Sequence, residues 1–234
     1  MSQRDETSAV RERYGRRDPS RDAERYSPLS PSVYLAEQER ERAFIRVLSS
    51  HGLEPLSART LVEVGCGGGK NLLQLLRLGF APENLRGVEL LEERAARARG
   101  CLPAAVQIAT GDAASLPVAA GSVDVVFQSL VFSSILDPGF RAALADRMWG
   151  WVRPGGGVLW YDFTFDNPAN PDVRGVPVAE LRRLFPAGRV EVRRVTLAPP
   201  ISRRVTRLWP GLYGLLNAIP LLRTHVVAWI AKPS

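Results

Sequence analysis

The sequence predicts an α/β chain, on three observations. Short apolar runs of strand length alternate with longer runs of helical periodicity over most of the chain. One of these runs, Thr60 to Val64, passes directly into a glycine-rich turn and then a helical stretch. Two carboxylates, Glu63 and Glu89, stand at strand ends, Glu63 inside an otherwise apolar run. Open α/β sheets bind their ligands at that end of the strands.

Residues 1–30 are highly charged with mixed sign and read as an N-terminal arm. Tyr14 and Tyr26 break its polar character, so it is either a floppy arm or a lid over the ligand site. Residues 31–234 read as one domain. Pro31 to Ser50 reads as a helix with Leu35, Phe44, Val47 and Leu48 for its buried side. After the first strand, Lys70 to Leu78 carries a wide leucine face. Asn84 to Leu90 is the second strand. Leu91 to Arg99 is the second crossover helix, with Gly100 as its C-cap and Glu93–Arg97 spaced for an i,i+4 ion pair. Residues 105–112 and Val123 to Phe127 are the third and fourth strands. Phe140, Leu144, Met148 and Trp151 recur at helical spacing, and Arg153-Pro154-Gly155-Gly156 turns into a fifth strand, Val158 to Phe163. Val178 to Phe185 is a short helix, Val190 to Leu197 alternates like a strand, and Thr224 to Ala231 is the last strand. Residues 198–223 form a long insertion between the last two strands, and connections of that length are uncommon and often functional.

The turn Gly65-Cys66-Gly67-Gly68-Gly69 departs from two familiar ligand loops. The dinucleotide fingerprint needs a third glycine where Lys70 stands. The phosphate loop needs glycine at Val64 and Ser or Thr at Asn71. Glu63 also opposes a phosphate, which carries its own negative charge. The stretch instead resembles the first motif of the class I S-adenosylmethionine-dependent methyltransferases, an acidic strand end followed by G-x-G-x-G. The resemblance spans residues 35–165, and the chain overall is similar to the broad type 11 group. It implies a Rossmann-like, doubly wound, mostly parallel seven-stranded sheet with an antiparallel C-terminal strand, and S-adenosyl-L-methionine as cofactor.

What the resemblance implies for single residues follows its motifs. Glu63, Gly65, Cys66, Gly67, Gly69 and Asn71 would lie along the methionine and ribose portion. Glu89, beside Leu90, would accept from both ribose hydroxyls, about 20 residues past the first glycine. Gly111-Asp112 would meet the adenine amino group, with Ala113 beside the ring and Gln128-Ser129 after the fourth strand completing the site. The helix before the first strand often covers the cofactor mouth in this family. DNA and protein-glutamine methylators carry Asn/Asp-Pro-Pro-aromatic after the fourth strand, and Gln128-Ser129-Leu130-Val131-Phe132 departs from that pattern. Residues closing the fifth strand face the acceptor in many members. Tyr161, Asp162 and His225 are therefore the candidate catalytic residues, and Asp162 or Asp166 could equally cap the turn before Asn167-Pro168. His51 is expected as a helix C-terminal cap or surface residue.

Composition narrows the function classes. Two cysteines, Cys66 and Cys101, give neither a disulfide framework nor a metal cluster, so no metal is expected, and Cys66 reads as packing. The opening MSQRDETSAVRERYGRRD has no secretory-type apolar core, which suggests the cytoplasm. The net charge of +7 invites nucleic acid, yet Lys70 and Lys232 are the only lysines and no arginine–aromatic RNA module is present. Nucleic acid is therefore not the expected partner. The expected activity is methyl transfer to a small-molecule acceptor, a sugar, glycan precursor or secondary metabolite, by O-methylation. The alternatives are an RNA methyltransferase and a non-catalytic cofactor-binding subunit. Within the insertion, residues 208–222 are apolar and follow Arg203, Arg204 and Arg207. They read as a wall of the acceptor pocket, with peripheral membrane contact through 203–222 as the alternative.

Overall fold

A computed structural model describes residues 3–16, 25–168 and 170–234. The stretch 17–24 of the charged arm lies outside the described residues. Seven strands form one sheet in the order β3-β2-β1-β4-β5-β7-β6. They are β1 (Leu61–Val64), β2 (Leu85–Glu89), β3 (Gln107–Thr110), β4 (Val123–Ser129), β5 (Val152–Phe163), β6 (Arg189–Leu197) and β7 (Arg223–Ala231). The first five pair in parallel, and β7 inserts antiparallel between β5 and β6. This is the doubly wound sheet with one antiparallel C-terminal strand that the sequence implied.

The helices are α1 (Gln3–Gly15), α2 (Pro31–Ser50), α3 (Lys70–Leu78), α4 (Glu92–Cys101), α5 (Pro138–Trp151), α6 (Val178–Leu184), α7 (Pro199–Leu208) and α8 (Gly211–Asn217). They cover both faces, as buried parallel strands require. One core holds Trp151, Trp160, Phe132 and Phe185; the other holds Phe44, Leu61, Leu72 and Phe127. Trp160 is fully buried. Burying an indole removes on the order of 150–250 Å² from water, about 4–6 kcal/mol at most. Pro31 opens α2 at its first turn, where the missing N–H costs nothing. Ala43, Phe44, Val47 and Leu48 give α2 its buried stripe. Its polar side is tied to α3 by Glu37–Lys70, Glu41–Arg77 and a 3.2 Å Arg40–Gln74 hydrogen bond.

Several local expectations are corrected. Gly100 lies inside α4, which ends at Cys101 with an extended Leu102 after it. The ion pair on this helix joins Arg99 to Glu92. The Arg153–Gly156 segment is a bulged start of β5, not a separate turn. It opens room there for Trp229, since a Cβ on Gly157 would fall 2.3 Å from that indole. The insertion is helical: α7 and α8 fill most of it. Part of the charged arm is ordered as α1, whose Val10 joins the Trp151 core. His51 caps the C-terminus of α2 and stacks on Trp229 at 5.2 Å.

Candidate functional site

The site is built on the carboxyl edge of β1, β2 and β4. Glu63, the last but one residue of β1, is completely buried. Its Oε1 accepts from Asn71 Nδ2 at 2.6 Å, and its Oε2 has no partner. Burial pushes the Glu63 carboxyl up to about 8, against the Asn71 hydrogen bond and the nearby Arg40 charge, which both favour ionisation. Arg40, on α2, is the complementary orphan: its Nε is buried and unpaired. Its guanidinium lies over the Phe44 and Tyr161 rings at 5.5 and 5.3 Å. A buried carboxylate and a half-buried guanidinium whose Nε is buried, each with an unmet hydrogen-bonding atom, lie near the glycine turn.

The turn is held by backbone. Gly65 N and Cys66 N both donate to Val88 O, at 2.8 and 3.1 Å. Gly67 N donates to Glu89 Oε2 at 2.8 Å, and Leu91 N donates to Glu89 Oε1 at 3.0 Å. Gly65, Gly67 and Gly69 have φ of +67°, +55° and +85°, which glycine adopts without a Cβ penalty. Their surroundings differ. A Cβ on Gly65 would sit 2.5 Å from Val131 Cγ2, and one on Gly69 would sit 2.9 Å from Leu102 Cδ1. Those two glycines permit close packing. Gly67 has only Arg94 nearby, at 3.9 Å, so its exposed side is open to a ligand. Cys66 fills space above Gly87, where a Cβ would come 2.7 Å from its Sγ. Burial, then the charges of Glu63 and Glu89, push its thiol far up, so it is packing rather than a nucleophile. Cys101 is exposed, with Sγ 3.2 Å from Gly68 O.

Farther along the edge, Gly111 N donates to Glu89 O at 2.9 Å, and Asp112 Oδ1 accepts from Ala114 N at 2.9 Å. Leu90 and Ala113 pack against the core that includes Val10 of α1. Gln128 is buried and its amide is spent on backbone, donating to Tyr161 O and accepting from Val131 N. Ser129 follows at the end of β4. The loop after it carries Leu130 at φ +60°, a left-handed conformation that costs a branched-chain residue roughly 1–2 kcal/mol. The helix α1 docks on this loop: Arg13 donates to Ser134 O, Glu6 accepts from Leu136 N, and Arg94 lies 4.8 Å from the Tyr14 ring.

The predicted catalytic residues divide between the two faces of the sheet. Side chains alternate along a strand. Tyr161 therefore faces α2, and Asp162 faces α5. Tyr161 and His225 stack at 5.2 Å. His225 Nδ1 lies 3.0 Å from Thr224 Oγ1, and burial, helped by the Arg40 charge, lowers the imidazole to about 4, so it is neutral near pH 7. Tyr161 Oη is 3.0 Å from Thr196 Oγ1, and burial holds its hydroxyl protonated. Asp162 stands apart. It is fully buried, accepts from Ser133 N and Phe163 N, and is pushed up to about 7 by burial. Asp166 Oδ1 accepts from Gly175 N nine residues on, so it closes a loop rather than capping the turn at Asn167-Pro168. The sequence reading missed Arg40, and it missed Glu39, whose Oε2 accepts from Thr196 N and Tyr213 Oη at 2.9 and 2.8 Å. Their signal was a charged pair within an otherwise solvated helix face. Among the described residues there is no cluster able to hold a metal ion.

Comparison with known proteins bears on the family and the fold. Residues 62–160 match a family model described as a methyltransferase domain. An uncharacterized 37.1 kDa protein in transposon TN4556 of Streptomyces fradiae is 30% identical over 145 residues, 57% of this chain and 40% of its own length. A tRNA N(3)-methylcytidine methyltransferase of Drosophila melanogaster is 28% identical over 116 residues, 46% of this chain and 35% of its own. The chain thus matches less than half the length of either relative. The fold is shared with geranyl diphosphate C-methyltransferase from Streptomyces coelicolor A3(2), whose crystal structure holds S-adenosyl-L-homocysteine. That likeness has a TM-score of 0.59 and 16% identity, and covers 82% of this chain and 77% of the other.

Proposed function

Since this chain carries a class I S-adenosylmethionine-dependent methyltransferase domain, we propose that it methylates a small-molecule hydroxyl acceptor. The observation that carries the reading is the pair of buried orphans beside the open glycine, Glu63 Oε2 and Arg40 Nε. The methionine end of the cofactor is a zwitterion, and this pair offers a carboxylate to its ammonium and a guanidinium to its carboxylate. Glu89 takes the ribose hydroxyls on the lone pairs left beside Gly67 N and Leu91 N, and Asp112 takes the adenine amine.

When bound, the cofactor supplies a sulfonium methyl whose carbon–sulfur bond breaks with its electron pair passing to sulfur. The protein's work is alignment, exclusion of water and removal of one proton. His225, neutral and stacked on Tyr161, takes the acceptor hydroxyl proton at Nε2 while Nδ1–H is held on Thr224 Oγ1. Tyr161 and Phe163 form the apolar floor under that imidazole. Asp162 holds the loop after β4 rather than meeting the acceptor. The two free thiols support a cytoplasmic setting. Likeness to a tRNA methyltransferase and the charge of +7 favour a second reading, an RNA acceptor.

Calorimetry with S-adenosylmethionine, then methyl transfer to hydroxylated small molecules and to RNA, tests the reading. Arg40→Met should weaken cofactor binding roughly ten- to a hundredfold, the scale of one charge-assisted hydrogen bond. His225→Asn should lower kcat and leave cofactor affinity unchanged. Turnover on RNA alone would replace the acceptor assignment, and absence of cofactor binding would end it.

A further inference from the structure

The insertion has an inner and an outer side. Tyr213 is buried, Ile201, Val205, Leu212 and Leu216 are half-buried, and Ser202 and Thr206 are buried with their hydroxyls returned to Pro199 O and Ser202 O in their own helix. A second set of large apolar residues is left in water: Leu208 is 83% exposed, Trp209 61%, Leu215 65% and Leu221 90%. Large apolar side chains grouped on an outer surface mark an interaction site. The same segment carries Arg203, Arg204 and Arg207, and residues 198–223 contain no Asp or Glu. Arg25 lies close enough to Arg203 for its charge to act there, which adds a further cation to the patch.

Topology places this patch beside the site. β6 runs parallel to β5, so Leu197 ends at the carboxyl edge, and antiparallel β7 begins there at Arg223. The insertion between them stands on the rim that holds His225 and the glycine turn. Tyr213 anchors it inward through Glu39 of α2, beside Arg40. Leucine and tryptophan flanked by arginines that form no ion pair among the described residues match a headgroup layer, where apolar side chains enter the acyl boundary and cations meet anionic lipid.

We propose that the 199–222 insertion docks this protein on anionic phospholipid bilayers, with the acceptor side of the site facing the membrane. The docking does not depend on methyl transfer. Its consequence, an acceptor anchored in the bilayer, does rest on the function proposed above.

Sedimentation with phosphatidylcholine–phosphatidylglycerol vesicles tests it. The wild-type protein should pellet with the mixed vesicles at low salt, stay soluble with phosphatidylcholine alone, and release as salt rises. R203E/R204E/R207E should lower partitioning at least about a hundredfold, given the surface attraction per arginine. Leu208→Ser with Trp209→Ser should also lose binding. Calorimetry with S-adenosylmethionine on the same samples should give unchanged affinity, showing that each variant is folded. Wild-type protein that stays in the supernatant, or a charge-reversed variant that pellets like the wild type, overturns the proposal. So does a dimer that Leu208→Ser/Trp209→Ser converts to monomer in the absence of vesicle binding, since a second copy would then cover the patch. Vesicle binding without cofactor affinity would leave docking standing and remove the methyl-transfer reading.

Discussion

The two halves of the sheet's carboxyl edge are held by different means. Between β1 and β2 backbone donors do the holding: Gly65 N and Cys66 N hang the glycine turn from Val88 O, and Gly67 N and Leu91 N each donate to one oxygen of Glu89. Between β5 and β6 side chains do it: Glu39 joins Thr196 and Tyr213, and Tyr161 joins Thr196 and His225. A backbone-held turn fits a ligand whose shape never changes. A side-chain-held rim can be rebuilt residue by residue, and in this chain it carries an extra pair of helices. On the proposed function, the cofactor half is the generic one and the acceptor half is where this protein is particular.

The comparison breaks most readily at Glu89. Glu89→Ala removes the acceptor of two backbone donors as well as the proposed ribose contact, each charge-assisted bond worth roughly 1.5–3 kcal/mol. Calorimetry should show cofactor affinity falling by at least about a hundredfold, with a lower Tm, while Glu89→Gln retains part of both. An unchanged affinity would mean the turn does not hold the cofactor.

A milder test separates packing from ligand approach among the glycines. Gly65→Ala places a Cβ against Val131 in a left-handed residue, a strain of roughly 1–2 kcal/mol before the clash is counted. Chemical denaturation should show that loss, and Val131→Ala in the same chain should restore the clash component but not the backbone component. If Val131→Ala restores nothing, the loop after β4 does not lean on the turn.

The smallest effect is also the sharpest. Glu63 keeps its proton to about pH 8 when folded and ionises near 4.5 when unfolded. Between those values the native state binds more protons, so this group's contribution to stability falls as pH rises. Cofactor binding has the opposite sign, because an incoming ammonium favours the carboxylate. Affinity should rise by no more than about tenfold per pH unit and level off near pH 8. Comparison with Glu63→Gln at each pH removes the titrations of Asp162, His225 and the ligand. A wild-type profile parallel to that of Glu63→Gln would mean the ammonium does not meet Glu63.

What the sequence made legible follows from the same division. Glu63, Gly67, Glu89 and Asp112 stand within a few residues of a strand end, so local pattern exposes them as candidates. Helix α2 and helix α3 were bounded by Pro31 and by the glycine turn. Arg40 was hidden because its role depends on Tyr161, far along the chain, and Glu39 because Thr196 and Tyr213 reach it only after β6 and β7 have formed. Gly100 misled because the Ala- and Arg-rich turn around it continues the helix in spite of the glycine. The helices of the insertion were not legible because Pro199, Pro210 and Pro220 punctuate it, yet each stands at or beside a helix start. Trp209 was expected to wall a pocket and instead points outward, while Tyr213 faces in.

The two thiols make the glycine turn addressable. Cys66 is sealed beneath Gly87 and kept protonated, whereas Cys101 is open to solvent and touches the carbonyl of Gly68 from outside. An alkylating dye offered to the folded protein therefore lands at one place, on the outer wall of the loop, with no residue changed. Ordering of that loop by an occupant would be visible as a change in the dye's emission or rotation, giving a continuous optical readout of occupancy in the unaltered chain.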